Sequence, residues 1–165
     1  MEMGRVPFYS CIFYHVFRST LDSWSHYNSV IEQPRVEAAR AILRKGSEIG
    51  QMMKVVGEEG TSLADFTVYL KAEFLDAVYL QQNAFSEADA STSVERQKIM
   101  FDALEKVLLG NFEFPEKDAT RRFFLELQQA FIDWNDKPMG SEEFESAHAA
   151  LLKRISAATD GVPGL

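Results

Sequence analysis

Residues 34–82 read PRVEAARAILRKGSEIGQMMKVVGEEGTSLADFTVYLKAEFLDAVYLQQ. Two apolar stripes with three- and four-residue spacing flank one short polar break, the pattern of two amphipathic helices joined by a tight turn. The first stripe is Val36, Ala39, Leu43, Gly46, Ile49 or Gly50, Met53 and Val56, on a helix running from about Pro34 to Val56. Pro34 falls at or just before the first turn, where a missing N–H costs nothing, and Gly57 stops the helix. Gly46 and Gly50 lower helix propensity but let a neighbour approach closely. The second stripe is Leu63, Phe66, Leu70, Phe74, Ala77 and Val78. Ser62 precedes it with Asp65 three residues on, a Ser-x-x-Asp capping box, and the helix is expected to end near Gln82.

Downstream of this hairpin the helical period continues nearly to the C-terminus. After a polar stretch from Asn83 to Ser91, Thr92 and Glu95 form a capping box for a helix carrying Ile99, Met100, Ala103, Leu104, Val107 and Leu108, closed by Gly110 and Asn111. Pro115 opens the approach to a fourth helix with Phe123, Phe124, Leu127, Phe131 and Trp134 facing inward, ending around Asn135 to Pro138. Ser141 starts a fifth, which packs Phe144, Ala147, Leu151, Leu152 and Ile155 and places Lys153 and Arg154 at the negative end of its dipole. Upstream, residues 1–34 mix aromatics with Ser, Asn and Pro and show no sustained period. The expected fold is all-α: a compact bundle of about five helices over 35–158, preceded by an irregular N-terminal segment over 1–34 and followed by a frayed tail over 159–165. Short connections between long helices imply antiparallel neighbours.

Composition bounds the function. The chain has 165 residues, enough to bury roughly 70% of the surface of its unfolded form without metal or disulfide staples. Lys and Arg number 17 against 25 Asp and Glu, a net charge of −8, so neither nucleic acid nor an anionic membrane surface is an expected partner. Cys11 is the only cysteine, which excludes an intrachain disulfide and makes a cytoplasmic setting the default. The apolar run from Phe8 to Phe17 falls well short of the ~20 residues of a membrane span and reads as a strand or buried segment, so no direct membrane insertion is expected.

Motifs for chemistry are sparse. There is no GxxxxGK[ST] loop to cradle a triphosphate, and no HExxH, CxxC or GxSxG. Glu145 and His148 form one Glu-x-x-His, half of a dimetal signature whose second copy is missing, so His148 reads as a solvated helical residue and no metal is expected. His15 and His26 have no neighbouring ligand set. Two segments lie off the core stripes. The turn VGEEGTSLAD puts Glu58, Glu59 and Asp65 at a helical tip, where acids also favour the next helix's N-terminus. The segment QQNAF, Gln81 to Phe85, puts three polar amides and an aromatic at a helix end.

Taken in order with LDSWSHY at Leu21 to Tyr27, with YLQQNAF at Tyr79 to Phe85 and its acidic continuation to Asp89, and with VERQKIM at Val94 to Met100, these segments resemble the C-terminal region of the catalytic A subunit of V-type and A-type rotary ATPases. The likeness covers about residues 20–158. Two stretches depart from it: Met1 to Ser19, and Ala90, Ser91 and Thr92, which stand where the family often has Ala-Tyr-Cys. The resemblance implies a helical domain whose nucleotide-binding domain lies upstream, outside this chain. It places Glu58, Glu59 and Asp65 at the acidic tip that pushes on the central stalk, and Phe85 at the wall of the adenine pocket. It implies no catalytic residue here, no cofactor bound by this chain alone, and ATP or ADP with Mg in the full-length subunit. The implied partners are A and B subunits of the catalytic hexamer and the central-stalk subunits. The competing expectation is a stand-alone helical interaction module that binds a partner helix in a groove.

Overall fold

The computed structural model describes residues 31–80 and 93–159. Five α-helices account for most of them: α1 (Gln33–Val56), α2 (Leu63–Leu75), α3 (Val94–Leu109), α4 (Lys117–Asn135) and α5 (Glu142–Thr159). Among the described residues there is no strand. The all-α bundle expected from periodicity is the fold. The expected irregular N-terminal segment lies outside the described residues up to position 30, and the expected tail lies outside them beyond Thr159, which is still helical.

Local signals set most helix ends. Gln33 and Pro34 open α1, and Gly57 closes it with its N–H on the Met53 carbonyl at 2.9 Å and a φ of +78°, a conformation that favours glycine. Ser62 caps α2: its hydroxyl oxygen accepts from the Asp65 N–H at 3.1 Å and donates to the Asp65 carboxylate at 2.8 Å. The last turn of that helix widens into a π-helical segment, Asp76–Leu80, which the apolar spacing does not announce. Ser93, not Thr92, caps α3 by accepting from the Arg96 N–H at 3.2 Å. Three hydroxyl residues stand in a row at 91–93, and helical register selects the one three positions before Arg96. Ser141 caps α5 through the Phe144 N–H at 3.1 Å.

Packing follows from the stripes. α1 lies antiparallel along α2: a Cβ built at Gly46 would fall 2.2 Å from the Ala72 Cβ, and one at Gly50 would meet the Tyr69 ring at 3.2 Å, so partners descend on α2 as positions rise on α1. Gly46 is the close approach, and any side chain there would displace α2. α4 packs on α2 from the other side, α3 touches α1 and α2, and α5 closes against α4 and α3. At the centre, Phe74 meets Phe131 edge-on with ring centroids 5.6 Å apart, Phe131 meets Trp134 at 5.1 Å, and Trp134 meets Phe144 at 5.3 Å. All four rings are essentially inaccessible to water, and each fully buried ring of this size contributes about 1.5–3 kcal/mol.

Three assignments change. Val56 is half exposed because the chain has already turned at Gly57 and α2 no longer faces it. Phe101, off the predicted stripe, is buried against Tyr79, with ring centroids 5.7 Å apart. His148 is only partly solvated: it is half buried and stacked on Trp134 at 4.8 Å with ring planes 5° apart, so an aromatic neighbour covers one face of the imidazole.

Three cations, of which Arg96 is buried and Lys71 and Arg35 are partly so, tie the helices together. Lys71 of α2 donates to the carbonyls of Leu108 at 2.9 Å and Gly110 at 2.7 Å, satisfying groups that the end of α3 leaves open. Burial pushes its ammonium below the ordinary lysine value. Arg96 of α3 does the same for α4, with its guanidinium on the carbonyls of Asn135 and Lys137 and 5.4 Å above the Phe144 ring. Arg35 of α1 forks onto Glu105 at 2.9 and 2.6 Å and reaches Asp102 at 2.6 Å, and these hydrogen bonds raise its pKa further.

Candidate functional site

The turn from Gly57 to Ser62 is built by its own hydrogen bonds. The Glu58 carbonyl accepts from the Thr61 N–H at 3.0 Å, and the buried Thr61 hydroxyl donates to the Gly57 carbonyl at 3.2 Å. The tip thus has a defined shape before any side chain beyond it is considered.

The three acids expected at this tip have different surroundings. The Glu58 carboxylate is paired with the Arg121 guanidinium at 2.5 Å, and its carbonyl also accepts from Lys117 Nζ at 2.5 Å. Asp65 faces Ser62 within the cap of α2. Glu59 is the exposed acid of the three. The structure therefore brings Glu58 and Glu59 together in one turn, with Asp65 on the first turn of the next helix. Beside them, Met52, Val55 and Val56 leave apolar surface open at the end of α1, with Val55 86% exposed.

Lys117 and Arg121 belong to the first turns of α4. Cations are unfavourable at the positive end of a helix dipole, so their position is itself a sequence signal that acids from elsewhere meet them. Asp118 supplies one, 3.1 Å from Arg121, and Glu58 the other. Both cations also lie over the face of Phe66, at 5.9 Å for Lys117 Nζ and 5.1 Å for the Arg121 guanidinium. Behind this contact a groove of about 310 Å³ runs between α1, α2 and α4, lined by Met53, Tyr69, Glu73, Phe124 and Leu125 among others. Burial, with Glu73 nearby, raises the Tyr69 phenol above its ordinary value.

Among the described residues no three His, Cys, Asp or Glu side chains converge to hold a metal ion, and no helix is long and apolar enough to cross a membrane. Glu145 and His148 remain a lone pair on α5, with the imidazole occupied by its stack on Trp134. Phe85, the expected adenine-pocket residue, lies outside the described residues.

The five α-helices of the described residues, with a braced helical hairpin at one edge, define a small all-α domain. The chain belongs to the family of the C-terminal domain of V and A type ATP synthase, whose family model matches residues 33–121, from the start of α1 into α4. It is 48% identical over 142 residues to the V-type ATP synthase alpha chain of Treponema denticola, covering 86% of this chain and 24% of that protein. The alpha chain of Borreliella burgdorferi (strain ZS7) is 50% identical over 138 residues, 84% of this chain and 24% of the relative. That of Borrelia duttonii is 51% identical over 131 residues, 79% and 23% respectively. The chain thus spans about a quarter of the length of the curated relatives it matches.

Proposed function

We propose that this domain is the lever of a rotary ATPase A subunit, carrying the nucleotide-driven movement of an upstream catalytic domain to the central stalk and so coupling ATP hydrolysis or synthesis to proton or sodium transport. In this reading ATP or ADP with Mg is bound by the full-length subunit, Phe85 walls the adenine pocket, and this chain performs no catalysis of its own. The working assembly is the catalytic head, on the cytoplasmic side and peripheral to the membrane, with A and B subunits as neighbours. The tip carrying Glu58, Glu59 and Asp65 faces the stalk, with Glu59 as the acid free to meet a basic surface.

The observation that carries the reading is the braced hairpin on a chain of this family. A lever must transmit displacement without absorbing it, and a densely packed core resists compression where a loose linker would give. The tip is tied to α4 by Glu58, and α1 is seated on α2 by the contact of Gly46 with Ala72. A charged, half-open tip can slide over a complementary surface without a tight, dry interface. Family membership counts against the stand-alone module, although Met52, Val55 and Val56 leave an apolar patch open at the end of α1.

The test is Glu59→Cys in the assembled complex, with cysteines placed along the central stalk. A crosslink to the stalk whose yield changes with nucleotide state is expected. Its absence in complexes that still hydrolyse ATP and transport ions would refute the lever assignment.

A further inference from the structure

We infer that Lys117 and Arg121 form a latch that holds the hairpin tip in position, so that Glu58 acts inside the domain as the latch's acceptor. The inference concerns this chain's own residues, and only its consequence for coupling rests on the lever reading above.

Four contacts converge on one turn. Arg121 takes the Glu58 carboxylate, Lys117 takes the Glu58 carbonyl, and both cations cover Phe66, which is 1% exposed. These groups come from two elements separated by about sixty positions, the tip at 57–62 and the first turns of α4. A single half-exposed ion pair contributes little by itself. Here the second cation binds backbone, so the turn's peptide plane is held together with its side chain. The apolar face of Phe66 lies under both cations and excludes water from one side of the pair, which strengthens each contact.

The latch also explains the placement of charge. Two cations at the positive end of the α4 dipole would repel it, and Glu58 together with Asp118 offsets them. The tip bonds internally through Thr61 but carries no large apolar side chain to anchor it, and Val55 and Val56 just before it are exposed. Without the latch the turn would hang from the ends of two helices. With it, displacement of α4 and displacement of the tip become one motion. Lys117 and Arg121 are thus positioning residues, acting through Glu58 and Phe66.

The experiment is hydrogen exchange on the whole 165-residue chain, comparing wild type with Glu58→Gln, Arg121→Gln, the double variant and Arg121→Lys. Each single glutamine variant is expected to speed exchange of the amides at 57–62 roughly three- to tenfold, with core amides of α2 and α4 unchanged. The double variant should be no faster than either single one, because one shared contact is lost only once. Arg121→Lys should restore part of the protection, and 1 M salt should speed the wild-type tip while leaving the double variant alone. Unchanged tip exchange in the single variants, or multiplied effects in the double, would overturn the latch. If Arg121→Gln loosens the core as well, Arg121→Lys decides, since failure to restore tip protection in a folded core also overturns it. None of these readouts uses the motor, so a missing stalk crosslink at position 59 would refute the lever and leave the latch standing.

Discussion

Gly46 and Gly50 stand one helical turn apart on α1, and their replacement by alanine should have opposite signs. In an exposed helix either change gains about 1 kcal/mol, because alanine loses less backbone entropy on folding than glycine. At Gly50 the new Cβ would meet the edge of the Tyr69 ring at 3.2 and 3.5 Å. That ring belongs to a half-buried side chain free to yield by a few tenths of an ångström, so most of the gain survives and Gly50→Ala should stabilise by about 0.5 kcal/mol. At Gly46 the new Cβ would fall 2.2 Å from the Ala72 Cβ, with the Val68 carbonyl 3.6 Å away. Neither neighbour has a rotamer to change, so the helices themselves must separate. Overpacking of this kind costs about 1–3 kcal/mol, which exceeds the propensity gain, and Gly46→Ala should destabilise by about 1–2 kcal/mol. Urea denaturation of the chain followed by far-UV circular dichroism reads this as midpoints moving in opposite directions at constant m value. The double variant Gly46→Ala, Ala72→Gly should recover much of the loss, since it moves the methyl from one helix to the other. Stabilisation by Gly46→Ala, or strict additivity in the double variant, would refute the close α1–α2 approach.

Three further outcomes are expected. Phe131→Ala should cost about 3–5 kcal/mol, whereas Phe123→Ala should cost clearly less, because Phe131 is fully enclosed and Phe123 is only half buried; midpoints of denaturation compare them directly. Lys71→Met should keep the apolar stem but strip the end of α3 of its donor, costing about 1–2 kcal/mol, and hydrogen exchange should show the loosening concentrated at the C-terminal end of α3. Burial lowers the His148 pKa, with Glu145 opposing and Lys106 reinforcing, so the folded state binds its proton less well than the unfolded state. Its stability contribution is therefore complete above about pH 6.5 and declines as pH falls through that value, levelling off below the folded pKa. Denaturation midpoints at pH 7.5 and 5.5 should differ less in His148→Phe, which keeps a ring against Trp134.

Much of this molecule is written locally. Gly57, Ser62, Pro115 and Ser141 mark helix ends because caps and stops act over three or four residues, and the stripes of α1 to α5 name most of the core because burial repeats with the helical period, while missing Leu75, Tyr79, Phe101 and Phe112 among others. The order of the segments from Leu21 to Met100 likewise carried the family resemblance, although Phe85 itself lies outside the described residues. Contacts between distant positions were a different matter. Periodicity says which face of a helix is apolar, but not which helix meets it or how far along it the contact runs. Hence Val56 sits on the right stripe yet beyond the end of its partner, and Phe101 lies off its stripe yet under Tyr79. The buried roles of Lys71 and Arg96 depend on another helix ending where their long side chains reach, and the tip acids differ for the same reason. Glu58 and Glu59 are adjacent and chemically identical, and only the arrival of the first turns of α4 ties one to Arg121 and leaves the other in water.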